Sequence, residues 1–175
     1  MNILSLKIIL YSYFKMRKGK QETYMNRCDD YETEKEAFDL LFKYVKIKKD
    51  DKVWFPFFCN NLIKSYTFPF KMIHTTTDFF ETNIEYDYII DNPPFSIKEK
   101  IIRKCIELNK PFCLLLAVDT LERKYISTLF KDKDFTIIIP KNRWKFINNG
   151  SRVTVGFKTC WFCIGFNLNR QIIFE

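Results

Sequence analysis

Asn92, Pro93, Pro94 and Phe95 are four adjacent residues whose types suit chemistry on a flat, amine-bearing substrate. The Asn92 carboxamide offers a carbonyl oxygen that accepts a hydrogen bond from an exocyclic amine. The Pro-Pro pair fixes the backbone, so that the Pro93 carbonyl can accept a second one. Two acceptors aimed at one NH2 group hold its nitrogen lone pair towards an electrophilic methyl group. Phe95 can then stack on the ring that carries the amine. Rate would come from alignment and electrostatics, without a strong base. Asn-Pro is also an ordinary turn signal, so the reading rests on what flanks it. Two further segments carry chemistry. Pro56-Phe57-Phe58-Cys59-Asn60-Asn61 ends another apolar run upstream. At Lys141, Arg143, Trp144 and Lys145, bases and an aromatic interleave, as phosphate contact plus base stacking requires; Lys98, Lys100 and Lys64 would extend that patch.

These residues need elements to position them. Thr33 to Glu36 has the pattern of a capping box, opening a helix with Ala37, Leu40, Leu41 and Tyr44 on one face and an end near Val45. Val53 to Phe57 reads as a buried strand stopped by Pro56. A short helix over 62–66 and a strand over 71–75 follow. Tyr86 to Ile90 is a strand that delivers Asp91-Asn92-Pro93-Pro94, where proline cannot continue a ladder. Ser96 as N-cap with Glu99 predicts a helix carrying Ile97, Ile101, Ile102, Cys105 and Ile106, stopped by Asn109-Lys110-Pro111. The continuous apolar run 112–118 is the mark of a strand buried on both faces of a parallel sheet. A helix over 121–130 and a strand over 135–140 come next. The last element is a hairpin turning at Asn148-Asn149-Gly150, its return strand spanning 153–166. Strands and helices that alternate predict an α/β fold with a mostly parallel sheet, helices on both faces, and an antiparallel hairpin at the C-terminal edge. Ligands in such sheets sit beyond the carboxyl ends of the strands.

Composition bounds the function. The chain has 175 residues, 47% of them hydrophobic and 18% aromatic, which excludes a disordered protein. A formal charge of +8 points to a polyanionic partner. Residues 1–28 read as an N-terminal extension of uncertain role and 29–175 as one domain. The apolar stretch 3–14 is too short to span a bilayer, and no small-residue cleavage site follows it. The expected location is therefore the cytoplasm, or a host cell's interior, with no membrane partner. Among the six cysteines, Cys160 and Cys163 have metal-ligand spacing, but in a strand positions three apart face opposite sides. No metal site is expected. His74 reads as a satisfied strand residue. Asp87 and Asp91 invite pairing as carboxylates, yet Asp87 reads as solvated. Neither a Gly-x-Ser-x-Gly nor a phosphate-binding glycine loop occurs.

Asn92-Pro93-Pro94-Phe95 resembles the (Asp/Asn/Ser)-Pro-Pro-(Tyr/Phe/Trp) loop of S-adenosylmethionine-dependent amine methyltransferases, and 86–90 resembles the strand that delivers it. Val53 to Asn61 is similar to the family's Asp-Pro-Phe-x-Gly-x-Gly cofactor loop. Asp78-Phe79-Phe80 is similar to the Asp-Phe element beside the cofactor's adenine, and Tyr31-Glu32-Thr33 to the opening Tyr-x-Thr-Pro. The ending, 140–146 and Trp161-Phe162, is like that of small phage and viral adenine-N6 enzymes. The resemblance covers about residues 29–166 and implies a Rossmann-like domain. It assigns Asn92, Pro93, Pro94 and Phe95 to catalysis. Thr33, Pro56, Phe57, Cys59, Asn61, Asp78 and Phe79 are assigned to S-adenosylmethionine, and nucleic acid, DNA before RNA, is the substrate. Cytosine-N4 and protein-glutamine methylation share the loop. The departures are physical. Cys59 and Asn61 replace glycines that allow positive φ and close backbone approach. Phe55 stands for an acid, Thr75 to Thr77 replace the ribose-binding acid, and Glu34 replaces a proline. They leave open a second reading, a methyltransferase-like binding subunit without activity.

Overall fold

The apolar run Phe112–Ala117 is strand β5, buried along its whole length, and the fold is layered on it. The computed structural model describes residues 31–57, 62–75 and 77–175. The N-terminal extension, Cys28, Cys59, Asn61 and Thr76 lie outside the described residues. In chain order the elements are β1 (Glu32–Thr33), α1 (Lys35–Tyr44), β2 (Lys52–Trp54), β3 (Lys71–Ile73), β4 (Tyr88–Asp91) and α2 (Lys98–Glu107). After β5 come α3 (Lys124–Leu129), β6 (Phe135–Ile139), β7 (Lys145–Asn148), β8 (Ser151–Thr154), β9 (Thr159–Ile164) and β10 (Ile172–Phe174).

The main sheet has seven strands in the order β10-β6-β9-β5-β4-β2-β3. All pairings are parallel except those of β9, which runs antiparallel to both neighbours. Residue alternation sorts its side chains onto two faces. Ile90, Cys113, Leu115, Trp161 and Cys163 pack beneath α1, with Phe146 of β7 beside them. Ile89, Leu114, Leu116, Cys160 and Phe162 pack beneath α2 and α3. Each such side chain, fully buried, contributes about 1.5–3 kcal/mol of transfer free energy. Helices therefore cover both faces, as the alternating pattern requires. Cys160 and Cys163 face opposite layers, so they cannot share a metal. Among the described residues no group of three or more His, Cys, Asp and Glu is placed to hold one, and no helix is long and apolar enough to cross a membrane.

The C-terminal region departs from the sequence expectation. The hairpin exists, turning through Asn149 at φ 49° and Gly150 at φ 74°, the left-handed pair of a two-residue turn. However, β7 and β8 belong to a separate three-stranded sheet with β1, in the order β1-β7-β8. The expected single return strand breaks at 155–158, and β9 enters the main sheet between β5 and β6 instead of lying at its edge. The edge is taken by β10, parallel to β6. Two helix starts also differ. The chain after Pro94 makes a 3-10 turn, Phe95–Ile97, so the N-cap position falls on Ile97, which makes no side-chain cap. Glu99 pairs with Arg103 at 2.8 Å instead of closing a box. In α1 the cap position is Glu34, again without a side-chain cap. The expected helix over 121–130 divides into a 3-10 turn, Val118–Glu122, and α3.

Trp161 locks α1 to the sheet: its indole N–H donates to the Ala37 carbonyl at 2.8 Å, and its ring is fully buried against Phe38. Trp161→Phe removes the donor and leaves a void beside the helix. It is expected to lower stability by about 1–3 kcal/mol, read by urea denaturation; a loss below a few tenths would show that α1 does not depend on this contact.

Candidate active site

Chain order and sheet order diverge between β2 and β4. From β2 the chain moves outward to β3, then returns to place β4 on the other side of β2. At such a switch point the loops leaving adjacent parallel strands part and open a crevice above the carboxyl ends. Phe55, Pro56 and Phe57 leave β2 there; Asn92, Pro93 and Pro94 leave β4.

Asp91 ties the two exits together. It ends β4, is almost fully buried, and accepts the Phe57 N–H on Oδ2 at 2.6 Å and the Asn92 N–H on Oδ1 at 2.8 Å. Burial pushes its carboxyl up to about 7, against the downward pull of those two N–H groups. Both oxygens are turned to backbone donors, so Asp91 positions the crevice. Asp87, which the sequence invites as its partner, sits exposed at the far end of the strand, where it accepts the Lys52 N–H at 2.7 Å.

Asn92 is held at two points. Its backbone is bound by Asp91, and its side-chain NH2 donates to the Tyr31 carbonyl at 3.3 Å. Its carbonyl oxygen, Oδ1, is buried and accepts no hydrogen bond. Asn92 lines two small spaces. One, about 20 Å³, lies between Tyr31, Thr33, Phe38, Phe57, Asp91 and Asn92, with room for about one water. The Thr33 hydroxyl is likewise buried without a partner. The other, about 10 Å³, is an aromatic cleft of Tyr31, Pro93, Phe95, Phe146 and Phe157 beside Asn92. The rings of Phe95 and Phe157 stand 5.7 Å apart at 43°. Pro94 is half-buried at the mouth of the 3-10 turn.

The structure thus brings Asn92, Pro93, Phe95, Thr33 and Phe57 to one place. Pro56 turns beside them. Phe79 is buried between Trp54 and Phe57, at 5.3 and 4.8 Å, and forms the floor under the β2 exit. Asp78 caps its own turn, accepting the Phe80 N–H at 2.7 Å. The Thr75 hydroxyl, after β3, accepts the Trp54 indole N–H at 3.2 Å. His74 is half-buried near Phe55, and burial lowers its pKa.

The basic candidates separate. Lys141, Arg143 and Lys145 are exposed along a groove of about 530 Å³ that they share with Glu34, Glu36, Asp39 and Glu175. Trp144 is partly buried: it packs against the core with its indole nitrogen buried and lines the same groove. Lys98 lies elsewhere, half-buried, 5.7 Å from the Phe95 ring. Sequence reasoning missed Phe146, Val155 and Phe157. Residues 155–158 read as continuous strand, and only the break at Gly156 hints that Phe157 belongs to a loop above the sheet.

No family model matches this chain, and no curated protein matches it significantly.

Asp91 makes a pH signature. Its folded pKa is raised, so as pH rises the unfolded chain releases this proton first. The carboxyl's contribution to stability therefore falls between about pH 4 and about pH 7 and is level on either side, with a slope of at most about 1.4 kcal/mol per unit. Asp91→Asn has no such slope, but turns an NH2 against a backbone N–H, at a cost of about 1–3 kcal/mol. Wild type is expected to be the more stable at pH 5, by a margin that shrinks towards pH 7. Denaturation at several pH values showing a constant margin would contradict this.

Proposed function

We propose that this chain is an S-adenosylmethionine-dependent methyltransferase, with a Rossmann-like domain, acting on the exocyclic N6 amine of adenine in nucleic acid, DNA before RNA. One observation carries the reading: the Asn92 carbonyl oxygen is buried, has no partner, and is held beside an aromatic cleft by bonds to the rest of its amide. A buried acceptor left unpaired costs about 1–3 kcal/mol; an amine donor arriving in the cleft satisfies it.

The cofactor would lie at the switch point, where the space beside Thr33 and Phe57, about 20 Å³, would have to widen to admit it. The unpartnered Thr33 hydroxyl, the backbone of Phe57 and the Pro56 turn would hold its charged end, and the Asp78–Phe80 turn with the Phe79 floor its adenosine end. When bound, the cofactor supplies the methyl group. The chain's own residues do the rest. Asn92 Oδ1 and the Pro93 carbonyl accept the two amine N–H bonds and so aim the nitrogen lone pair. The base would stack against the Phe95–Phe157 pair from one side, since rings 5.7 Å apart leave no room between them, and Tyr31 and Phe146 line the same cleft. Stacking on an aromatic ring favours a planar base over a glutamine side chain.

A second reading, a methyltransferase-like subunit that binds nucleic acid without transferring methyl groups, is favoured by the size of the cavity beside Thr33. At about 20 Å³ it is closed by Phe38, Phe57 and Ile63.

The test is incubation with methyl-labelled S-adenosylmethionine and adenine-containing oligonucleotides, then digestion and mass spectrometry. N6-methyladenine is expected; N4-methylcytosine, methylated glutamine or no product would each overturn the adenine assignment. Asn92→Ala is expected to lower kcat by about 10²–10³ with the fold retained. Phe157→Ala is expected to lower kcat/KM roughly 5- to 100-fold, the equivalent of one stacked base, while cofactor affinity stays unchanged.

A further inference from the structure

Beside the Asn92 cleft, on the α2 and α3 side, lies an open groove of about 570 Å³ that runs from Phe95 past Lys98, Lys100 and Arg103 to Arg123 and Tyr125. Its charges are not balanced internally. Glu99 is held by Arg103 at 2.8 Å, and Asp119 by Arg123 at 3.7 Å. Among the described residues no carboxylate lies within 4 Å of the Lys98 or Lys100 ammonium. Lys98 is half-buried, and burial lowers its pKa, with Asp119 opposing. A desolvated ammonium without a counter-ion is expensive. Tyr125 adds a hydroxyl that is buried and has no hydrogen-bond partner. The groove thus presents two cations without a carboxylate partner, a hydroxyl without a hydrogen-bond partner and the Phe95 ring, which also lines the cleft.

The other basic surface is closer to balance. Its groove is lined by Lys43, Lys141, Arg143, Lys145 and Arg152 and by the carboxylates of Glu34, Glu36, Asp39 and Glu175. Arg152 there is bound to Glu34 and lies 3.7 Å from Glu36, and Lys43 lies 3.5 Å from Glu175. A phosphodiester entering that groove would meet carboxylates that offset most of the attraction.

We infer that the Lys98–Arg123 groove carries the sugar–phosphate backbone of the strand whose base occupies the Asn92 cleft, and that the Lys141–Lys145 surface does not. The inference rests on the proposed substrate class, and of the patch read from the sequence it keeps Lys98 and Lys100 and drops Lys141 to Lys145. Lys98 and Lys100 would neutralise phosphates next to the target nucleotide, with Tyr125 donating to one of them.

The test needs neither cofactor nor turnover. Binding of fluorescently labelled single- and double-stranded oligonucleotides is followed by anisotropy over a series of salt concentrations. For the full chain, log K is expected to fall linearly with log salt. The double variant Lys98→Gln/Lys100→Gln is expected to lower that slope by roughly one to two units, and Lys141→Gln/Lys145→Gln to leave it unchanged. Lys100→Gln alone changes an exposed side chain, and should remove about half of the effect should the double variant prove unstable. A slope lowered by the second pair and not the first would overturn the inference, as would no binding by wild type. Binding through Lys98 and Lys100 without methyl transfer would uphold this inference while sinking the proposed activity. Adenine methylation with an unaltered slope in the Lys98/Lys100 variant would do the reverse.

Discussion

A single buried carboxylate joins the two strand exits on which the site depends. Asp91 accepts one backbone N–H from the chain leaving β2 and one from its own neighbour leaving β4. Without it, two buried donors at a switch point would be unsatisfied, in a crevice whose walls are Phe38, Phe57 and Ile63. Its burial opposes ionisation while its two donors favour it, so its proton is held near neutrality. A negative charge so placed orders backbone. Beside them the Asn92 side-chain NH2 is engaged by the Tyr31 carbonyl, while its carbonyl oxygen is buried without a partner.

The antiparallel strand β9 completes the site from the other end of the sequence. By entering between β5 and β6 it starts at the edge of the sheet where the parallel strands finish. The loop before it therefore crosses above that edge. Lys158 anchors this loop twice: its carbonyl accepts the Val118 N–H at 2.9 Å, and its ammonium donates to the Pro140 and Lys141 carbonyls. Phe157, one residue earlier, is thereby set against Phe95. Two chain segments far apart in sequence thus supply the two rings of one cleft.

Much of this was legible in the sequence, for physical reasons. A strand buried on both faces must be apolar throughout, and 112–118 announced β5. Proline ends a ladder, and 92–94 announced the turn after β4. Alternation placed Cys160 and Cys163 on opposite faces. What was not legible depends on contacts distant in the chain. The hairpin reading joined the nearest antiparallel partners, whereas β9 pairs with β5 and β6. Trp144 between basic residues looks the same in sequence whether its ring points to solvent or to the core. Ser96 and Glu99 fit a capping box, but the Pro-Pro turn runs into a 3-10 turn, which moves the helix start beyond Ser96. Asp91 read as one of two carboxylates because burial is not written in its immediate neighbours.

The proposed amine-binding half of the site and the proposed cofactor-binding half stand on different footing. Asn92 is ready for a donor, while Cys59 and Asn61 replace the glycines of the motif that the β2 exit resembles, and Asp78 is engaged by its own turn. The most direct measurement is calorimetric titration of S-adenosylmethionine into the folded protein, alone and with a short adenine-containing duplex. The account predicts saturable one-to-one binding tighter than about 100 μM, roughly −5.5 kcal/mol. No detectable heat in either condition would contradict it, and would favour the second reading, a binding subunit without activity.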